Sequence, residues 1–256
     1  MKVVILAGGL GSRLSEETQL KPKPMVEIGP YPILVHIMMH YSQYRLNDFV
    51  VCLGYKGYVI KEYFANFVLH RSNVVIDVGN NRIEYLGSNG LPPWRVALID
   101  TGTSTNTGGR LRRVAPLLSA DEPFCMTYGD GLSDVDLGAL IAFHKMTGLD
   151  ATLTAVRPPG RFGATVIEGY KVLKFTEKPP GEGGYINGGF FVLRPRVIER
   201  IKSDSTSWET EALASLAYDG NLAAYVHDGF WHPMDTLRDK KYLEELWATG
   251  SPPWKR

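Results

Sequence analysis

The feature that most constrains this chain is Val3-Val4-Ile5-Leu6, running directly into Ala7-Gly8-Gly9-Leu10-Gly11-Ser12-Arg13. Four consecutive apolar residues predict a strand buried on both faces. The glycines that follow carry no Cβ, so backbone can approach a ligand closely there. Convergent N–H groups in such a loop hold phosphate oxygens. Arg13 and, ten residues on, Lys23 add fixed positive charge. The stretch therefore predicts a nucleoside triphosphate site at the end of the first strand. It would be built from Leu6, Ala7, Gly8, Gly9, Leu10, Gly11, Ser12, Arg13 and Lys23. Taken alone, the loop is also compatible with a tight strand-to-helix turn. It is not a P-loop, because no Gly-Lys-Ser/Thr follows. It is not a dinucleotide fingerprint either, since Leu14 stands where the third glycine belongs, which argues against a nicotinamide dehydrogenase.

Charge restricts how a phosphate could be held. The 256 residues carry 28 basic and 27 acidic side chains, a net charge of +1. That leaves no electrostatic footprint for nucleic acid or an anionic membrane. Phosphate binding must rest on a few placed cations. No run approaches the ~18 apolar residues of a membrane span. The start of the sequence shows no cationic segment before an apolar one, so a cytoplasmic protein is expected. Cys52 and Cys125 sit inside apolar runs and read as buried thiols. The histidines show no metal-ligand spacing, which disfavours zinc.

Along the chain, strand and helix signals alternate. Helical spacing covers Ile33 to Tyr44, Val59 to Leu69, roughly Gly109 to Leu118, and Leu137 to Met146. Strands are predicted at Phe49–Gly54, Val96–Asp100 and Phe124–Tyr128, with short ones at Val74–Ile76 and Arg82–Leu86. From Ala151 the pattern turns more antiparallel, with strands at 151–156, 164–167, 172–175, 189–193 and 222–226. Helices follow at Arg196–Ile201 and Glu209–Tyr218, and a last one runs from Asp235 to Trp247. The expected fold is α/β: a three-layer, Rossmann-like arrangement with a mostly parallel mixed sheet and a small antiparallel elaboration. No linker separates the halves, so one domain is expected over 1–256. Residues 1–150 would mainly bind nucleotide, and 151–256 a sugar phosphate. In such sheets ligands lie beyond the carboxyl ends of the strands. The loops to read are then Gly8–Arg13, Thr101–Arg110 and Tyr128–Gly131.

Several further residues could carry chemistry. Lys21-Pro22-Lys23-Pro24 is a stiff segment, because each proline pushes its predecessor towards extended backbone. It would hold Lys23 in place; the alternative is a solvated basic loop. Asp130, between Gly129 and Gly131, is either a turn former or a hard oxygen ligand for Mg²⁺. Asp235 is either a helix N-cap or the second carboxylate of such a site. Glu177 and Asn187, the latter before Gly188, suit sugar hydroxyls, and Lys178 suits a sugar-borne phosphate.

In their order these motifs resemble the sugar nucleotidyltransferase family over essentially the whole chain. The matching features are Leu6 to Arg13, Lys21-Pro22-Lys23-Pro24-Met25, Gly129-Asp130-Gly131, Phe175-Thr176-Glu177-Lys178-Pro179, Asn187-Gly188-Gly189 and Met234-Asp235-Thr236. Ser12 stands where many members have Thr. Leu53 to Phe64, Asp100-Thr101-Gly102 with Thr107 to Leu111, Pro158 to Ala164, and Gly229 to Lys240 are most similar to the cytidylyltransferases that act on glucose 1-phosphate. Residues 73–94 carry no such motif and read as variable surface.

The resemblance implies that CTP and α-D-glucose 1-phosphate give CDP-glucose and pyrophosphate, with Mg²⁺ as cofactor. It implies Mg²⁺ held by Asp130 and Asp235, and Lys23 on the α-phosphate. Gly8–Gly11 and Arg13 would hold the departing phosphates. Thr105 and Gly108 would lie near the base, Arg110 near the base or phosphates, and Tyr128 and Gly129 beside the nucleotide. Lys178 would bind the sugar phosphate, while Glu177, Asn187 and Gly188 face the sugar. It also implies a homo-oligomer, with a hexamer as the expected form, and a place in bacterial polysaccharide synthesis. Two alternatives stay open from the residues themselves: UTP or dTTP as donor, or a non-catalytic module that binds sugar nucleotides.

Overall fold

The computed structural model describes residues 1–11, 14–87, 90–158, 164–168, 171–176 and 184–255. Seven strands make one sheet: β1 (Val3–Leu6), β2 (Asp48–Leu53), β3 (Arg95–Asp100), β4 (Phe124–Tyr128), β5 (Ala151–Val156), β6 (Ile186–Leu193) and β7 (Leu222–His227). Their order is β7-β5-β6-β4-β1-β2-β3. β1 runs parallel to β2 and β4, β2 to β3, and β5 to β7. Only β6 is reversed, against β4 and β5. The sheet is thus α/β and mostly parallel. Leu6 lies opposite Cys52 and Tyr128, so β1, β2 and β4 finish level and their loops open on one edge.

The principal helices are α1 (Ile33–Gln43), α2 (Gly57–Ala65), α3 (Thr107–Val114), α4 (Leu137–Thr147) and α5 (Leu237–Ala248). β1 is central and wholly buried, which explains its unbroken apolar run. Val3 and Ile5 face a layer containing residues of α1, α2, α4 and α5. Val4 and Leu6 face α3 and the segment from Val197 to Leu216. Each such aliphatic side chain contributes ~1.5–3 kcal/mol on burial.

Several elements depart from the sequence expectation. β5 and β7 run parallel to the main strands, so the antiparallel character of the second half is confined to β6 and short hairpins. One hairpin pairs Ala164–Glu168 with Lys171–Thr176. The helix expected over Val59 to Leu69 divides at Asn66, whose side-chain amide donates to the Glu62 carbonyl. Helix α3 begins earlier, at Thr107, and gives way at Ala115 to a 3-10 turn containing Pro116, which has no N–H to continue it. Pro195–Arg200 is 3-10 rather than α, and Trp208–Leu213 is a π-turn leading into a short α-helix. Residues 73–94 contain an exposed hairpin, Val74–Asp77 with Arg82–Tyr85.

Candidate active site

A cavity of about 320 Å³ opens beyond the carboxyl ends of β1 and β4. Its first wall is the glycine loop: Leu6, Ala7, Gly8, Gly9 and Gly11 all line it. Gly9 has open space where a side chain would stand. Gly11 has φ +64°, a conformation costly for residues with a Cβ. Leu10 points away, 60% exposed. Ser12 and Arg13 lie outside the described residues.

Arg110 forms the floor. It is buried, and Nη1 donates to the Leu53 carbonyl (3.0 Å), Thr101 Oγ1 (2.8 Å) and the Gly102 carbonyl (2.8 Å). Nη2 donates to the carbonyls of Gly8 (3.0 Å) and Thr103 (3.4 Å). Arg110 therefore ties the glycine loop to the ends of β2 and β3, instead of projecting freely towards a base. Gly54 makes room: a Cβ there would meet Gly8 O at 2.5 Å and Arg110 Nη1 at 2.6 Å. Burial lowers the pKa of this guanidinium, yet an arginine remains charged at neutral pH. All the acceptors just named are uncharged, so a positive charge stays beneath the site.

Lys23 also lines the cavity, its Cβ packed beside Gly11 of the glycine loop. Expected in extended backbone, it instead starts a 3-10 turn, Lys23–Met25. Two bonds outweigh the pre-proline preference: Met25 N to Pro22 O (2.8 Å) and Val26 N to Lys23 O (3.0 Å). Its Nζ donates to Asp130 Oδ2 and to Asp235 Oδ1, each at 2.7 Å. Burial by itself would lower the Lys23 pKa; the charges and hydrogen bonds of the two carboxylates outweigh it, and the pKa is raised.

Asp130 and Asp235 meet through a small antiparallel pair. Gly131–Ser133 pairs with Trp231–Pro233, and Met234 N donates to the Asp130 carbonyl at 2.8 Å. Asp235 is not the helix N-cap. Thr236 is, in a capping box with Asp239, so α5 starts at Leu237 and Asp235 is left to face Lys23.

The third wall comes from the β3–α3 loop. Thr105, Asn106 and Thr107 line the cavity. Gly108, expected near the base, is not among the residues lining the cavity, and its Cα packs against the 206–208 segment, where a Cβ would meet Thr206 O at 2.7 Å. Tyr128 and Gly129 close the site under β4. Beside it a smaller cavity is lined by Asn187, Gly188, Trp231 and Phe190, and it shares Tyr128 and Asp130 with the first. Asn187 Oδ1 accepts from Gly189 N (2.8 Å), and Trp231 Nε1 donates to Gly188 O (2.7 Å). Glu177 and Lys178 lie outside the described residues. Pro24, Asn106 and Thr107 were not singled out as site residues. Pro24 and Thr107 do fall inside motifs that carry the family resemblance, whereas the signal for Asn106 is its place in the loop before Gly108-Gly109.

The nucleotidyl transferase family model matches residues 2–239. The chain belongs to this family. Among curated nucleotidyl transferases it is 60% identical over 255 residues to glucose-1-phosphate cytidylyltransferase of Salmonella typhi, covering 100% of this chain and 99% of the relative. A probable glucose-1-phosphate cytidylyltransferase of Bacillus subtilis is 40% identical, with 100% and 99% covered. The crystal structure of HddC from Yersinia pseudotuberculosis superposes with a TM-score of 0.69 at 25% identity, covering 96% of this chain and 99% of that one. Among the described residues no helix is long and apolar enough to cross a membrane.

Proposed function

We propose that this nucleotidyl transferase moves CMP from CTP to α-D-glucose 1-phosphate. The observation that carries the choice of substrates is the 60% identity along the full length of the Salmonella enzyme. In the reaction, an oxygen of the sugar phosphate forms a new bond to the α-phosphorus of CTP. The bond from the α-phosphorus to the bridging oxygen breaks, and pyrophosphate leaves with that electron pair. The attacking oxygen is already ionised at neutral pH, so no protein base or covalent intermediate is needed. What the protein supplies is alignment and neutralisation of charge.

The residues can be given roles on that basis. The Gly8–Gly11 loop, over the Arg110 charge, receives the β- and γ-phosphates. Lys23 steadies the α-phosphate as negative charge builds there. Thr105, Asn106 and Thr107 flank the base, Tyr128 stands between nucleotide and sugar, and Asn187 and Gly188 face the sugar. Glu177 and Lys178 complete the sugar-phosphate side in this reading.

Asp130 and Asp235 fit a divalent cation. Their oxygens both lie 2.7 Å from one ammonium, hence at most about 5.4 Å apart, and both residues line the cavity. Two carboxylate oxygens are hard donors that suit Mg²⁺, which fills its remaining positions with phosphate oxygens and water. Among the described residues no group of three or more His, Cys, Asp or Glu competes for it. Bound there, Mg²⁺ would neutralise phosphate charge and raise the electrophilicity of the α-phosphorus. A homo-oligomer is part of the same proposal, and light scattering on the purified protein tests it.

The deciding experiment offers CTP, UTP, dTTP and GTP separately with glucose 1-phosphate and Mg²⁺ and measures pyrophosphate release. CTP should give the largest kcat/KM. Faster turnover with another triphosphate would reassign the base, and no release with any of them would reduce the chain to a binding module.

A further inference from the structure

Glu209 takes no part in the roles above. It sits in the π-turn Trp208–Leu213, a backbone irregularity that often marks functional positions. Its two carboxylate oxygens point to different walls of the site. Oε2 accepts from Thr107 Oγ1 (2.6 Å) and Ser207 Oγ (3.1 Å). Oε1 accepts from the Tyr128 hydroxyl (2.6 Å). Both networks continue outward. Trp208 N donates to Thr107 Oγ1 at 3.0 Å. Asn187 Nδ2 donates to the Tyr128 oxygen at 3.4 Å, and Asn187 Oδ1 in turn accepts from Gly189 N. One carboxylate thus joins Thr107, on the base side of the large cavity, to Tyr128, which lines both cavities, and through it to Asn187 on the wall of the smaller one.

The surrounding backbone is built to bring Glu209 there. Asn106 N donates to Asp204 O (2.8 Å), and its side chain donates to Ser205 O (2.9 Å). Gly108 and Gly109 lack the Cβ atoms that would collide with Thr206 O and Asp204 O. Segment 204–209 is therefore clamped against the start of α3. Short bonds to a charged acceptor are about twice as strong as neutral ones. Burial, then the Glu209 charge, pushes the Tyr128 phenol well above its ordinary pKa, so it stays a donor to the carboxylate.

We propose that Glu209 is a positioning residue that sets the nucleotide wall and the sugar wall in register. This rests on the substrate reading given above. A ligand ordering Thr107 also orders Tyr128 and Asn187 through this one side chain, and the reverse holds for the sugar phosphate.

The test is steady-state kinetics of the full-length wild type, Glu209→Ala, Glu209→Gln, Thr107→Val and Tyr128→Phe, varying each substrate against the other. Melting temperature is measured in parallel. Glu209→Ala should raise KM for both substrates at least ~10-fold, the scale of a lost charge-assisted hydrogen bond. Thr107→Val should raise chiefly the KM for CTP, and Tyr128→Phe, at a residue that lines both cavities, should raise that for glucose 1-phosphate as well as that for CTP. Glu209→Gln, which keeps the shape and one acceptor oxygen, should recover part of the loss and remains informative if the alanine variant does not fold. A lower kcat with both KM values unchanged in the folded Glu209 variants would mean a structural role only and overturn the inference. A change in KM for just one substrate would overturn it too. If wild type itself shows no CTP- and glucose-1-phosphate-dependent pyrophosphate release, the substrate reading fails rather than the role of Glu209.

Discussion

Replacing Lys23 by Met keeps the bulk of the side chain and removes its charge. Asp130 and Asp235 then face each other with no ammonium between them. Their oxygens are at most about 5.4 Å apart. At an effective dielectric of ~20, two unit charges at that distance repel by about 3 kcal/mol. The Asp130 side chain is 34% exposed and that of Asp235 19%, so solvent reduces this to ~1–2 kcal/mol. For a chain of this size that corresponds to a melting temperature lower by roughly 3–6 °C. Two readouts should move in opposite directions. Pyrophosphate release should lose at least ~100-fold in kcat, the scale of a deleted electrostatic group. Mg²⁺ should raise the melting temperature of Lys23→Met more than that of wild type, because no ammonium has to give way to the cation. Differential scanning fluorimetry across a Mg²⁺ titration, paired with a pyrophosphate assay, measures both. A kcat within ~10-fold of wild type would remove Lys23 from the reaction. Equal Mg²⁺ shifts in the two proteins would refute the idea that ammonium and cation compete for the carboxylates.

Asp235→Asn should lower kcat by ~100-fold and raise the Mg²⁺ concentration needed for half-maximal rate, read from the same assay. Arg110→Met should leave the carbonyls of Gly8, Leu53 and Gly102 without that donor; it is expected to destabilise by ~3 kcal/mol in urea unfolding and to raise the KM for CTP. His144 is buried, with Nδ1 2.9 Å from Thr152 Oγ1, and burial, helped by Arg194, pushes its pKa down to about 4. The folded chain keeps it neutral while the unfolded chain protonates it near pH 6.5, so its contribution is full above that value and lost as pH falls towards 4. The loss amounts to ~3 kcal/mol. Urea unfolding at pH 7 and pH 4.5 should show His144→Gln losing less stability than wild type over that interval.

The two ends of the glycine motif illustrate what a sequence can carry. An apolar run followed by small residues specifies a central strand and a permissive loop wherever it occurs, since burial and the missing Cβ are local properties. Strand and helix alternation likewise implied a covered, mostly parallel sheet. Cation and carboxylate types at Lys23, Asp130 and Asp235 were legible as chemistry. Their mutual arrangement was not. Lys23 touches residues 107 and 212 positions away because a three-residue strand pair holds Asp130 beside Met234, and because Thr236 caps α5 in place of Asp235. Arg110 is expected near the base or phosphates, and it does line the cavity. The fold turned it inward because Gly54 and Gly8 left space and five acceptors converged there. Glu209 had no local signal at all. Its importance depends on Thr107 and Tyr128 arriving from distant segments at its two oxygens, and such a meeting point exists only once the layers have packed. The opening glycine loop thus determined, by local sterics alone, that a phosphate-bearing ligand could approach β1. Which charges face that ligand, and which merely hold the loop in shape, was decided by long-range packing of groups no sequence window contains.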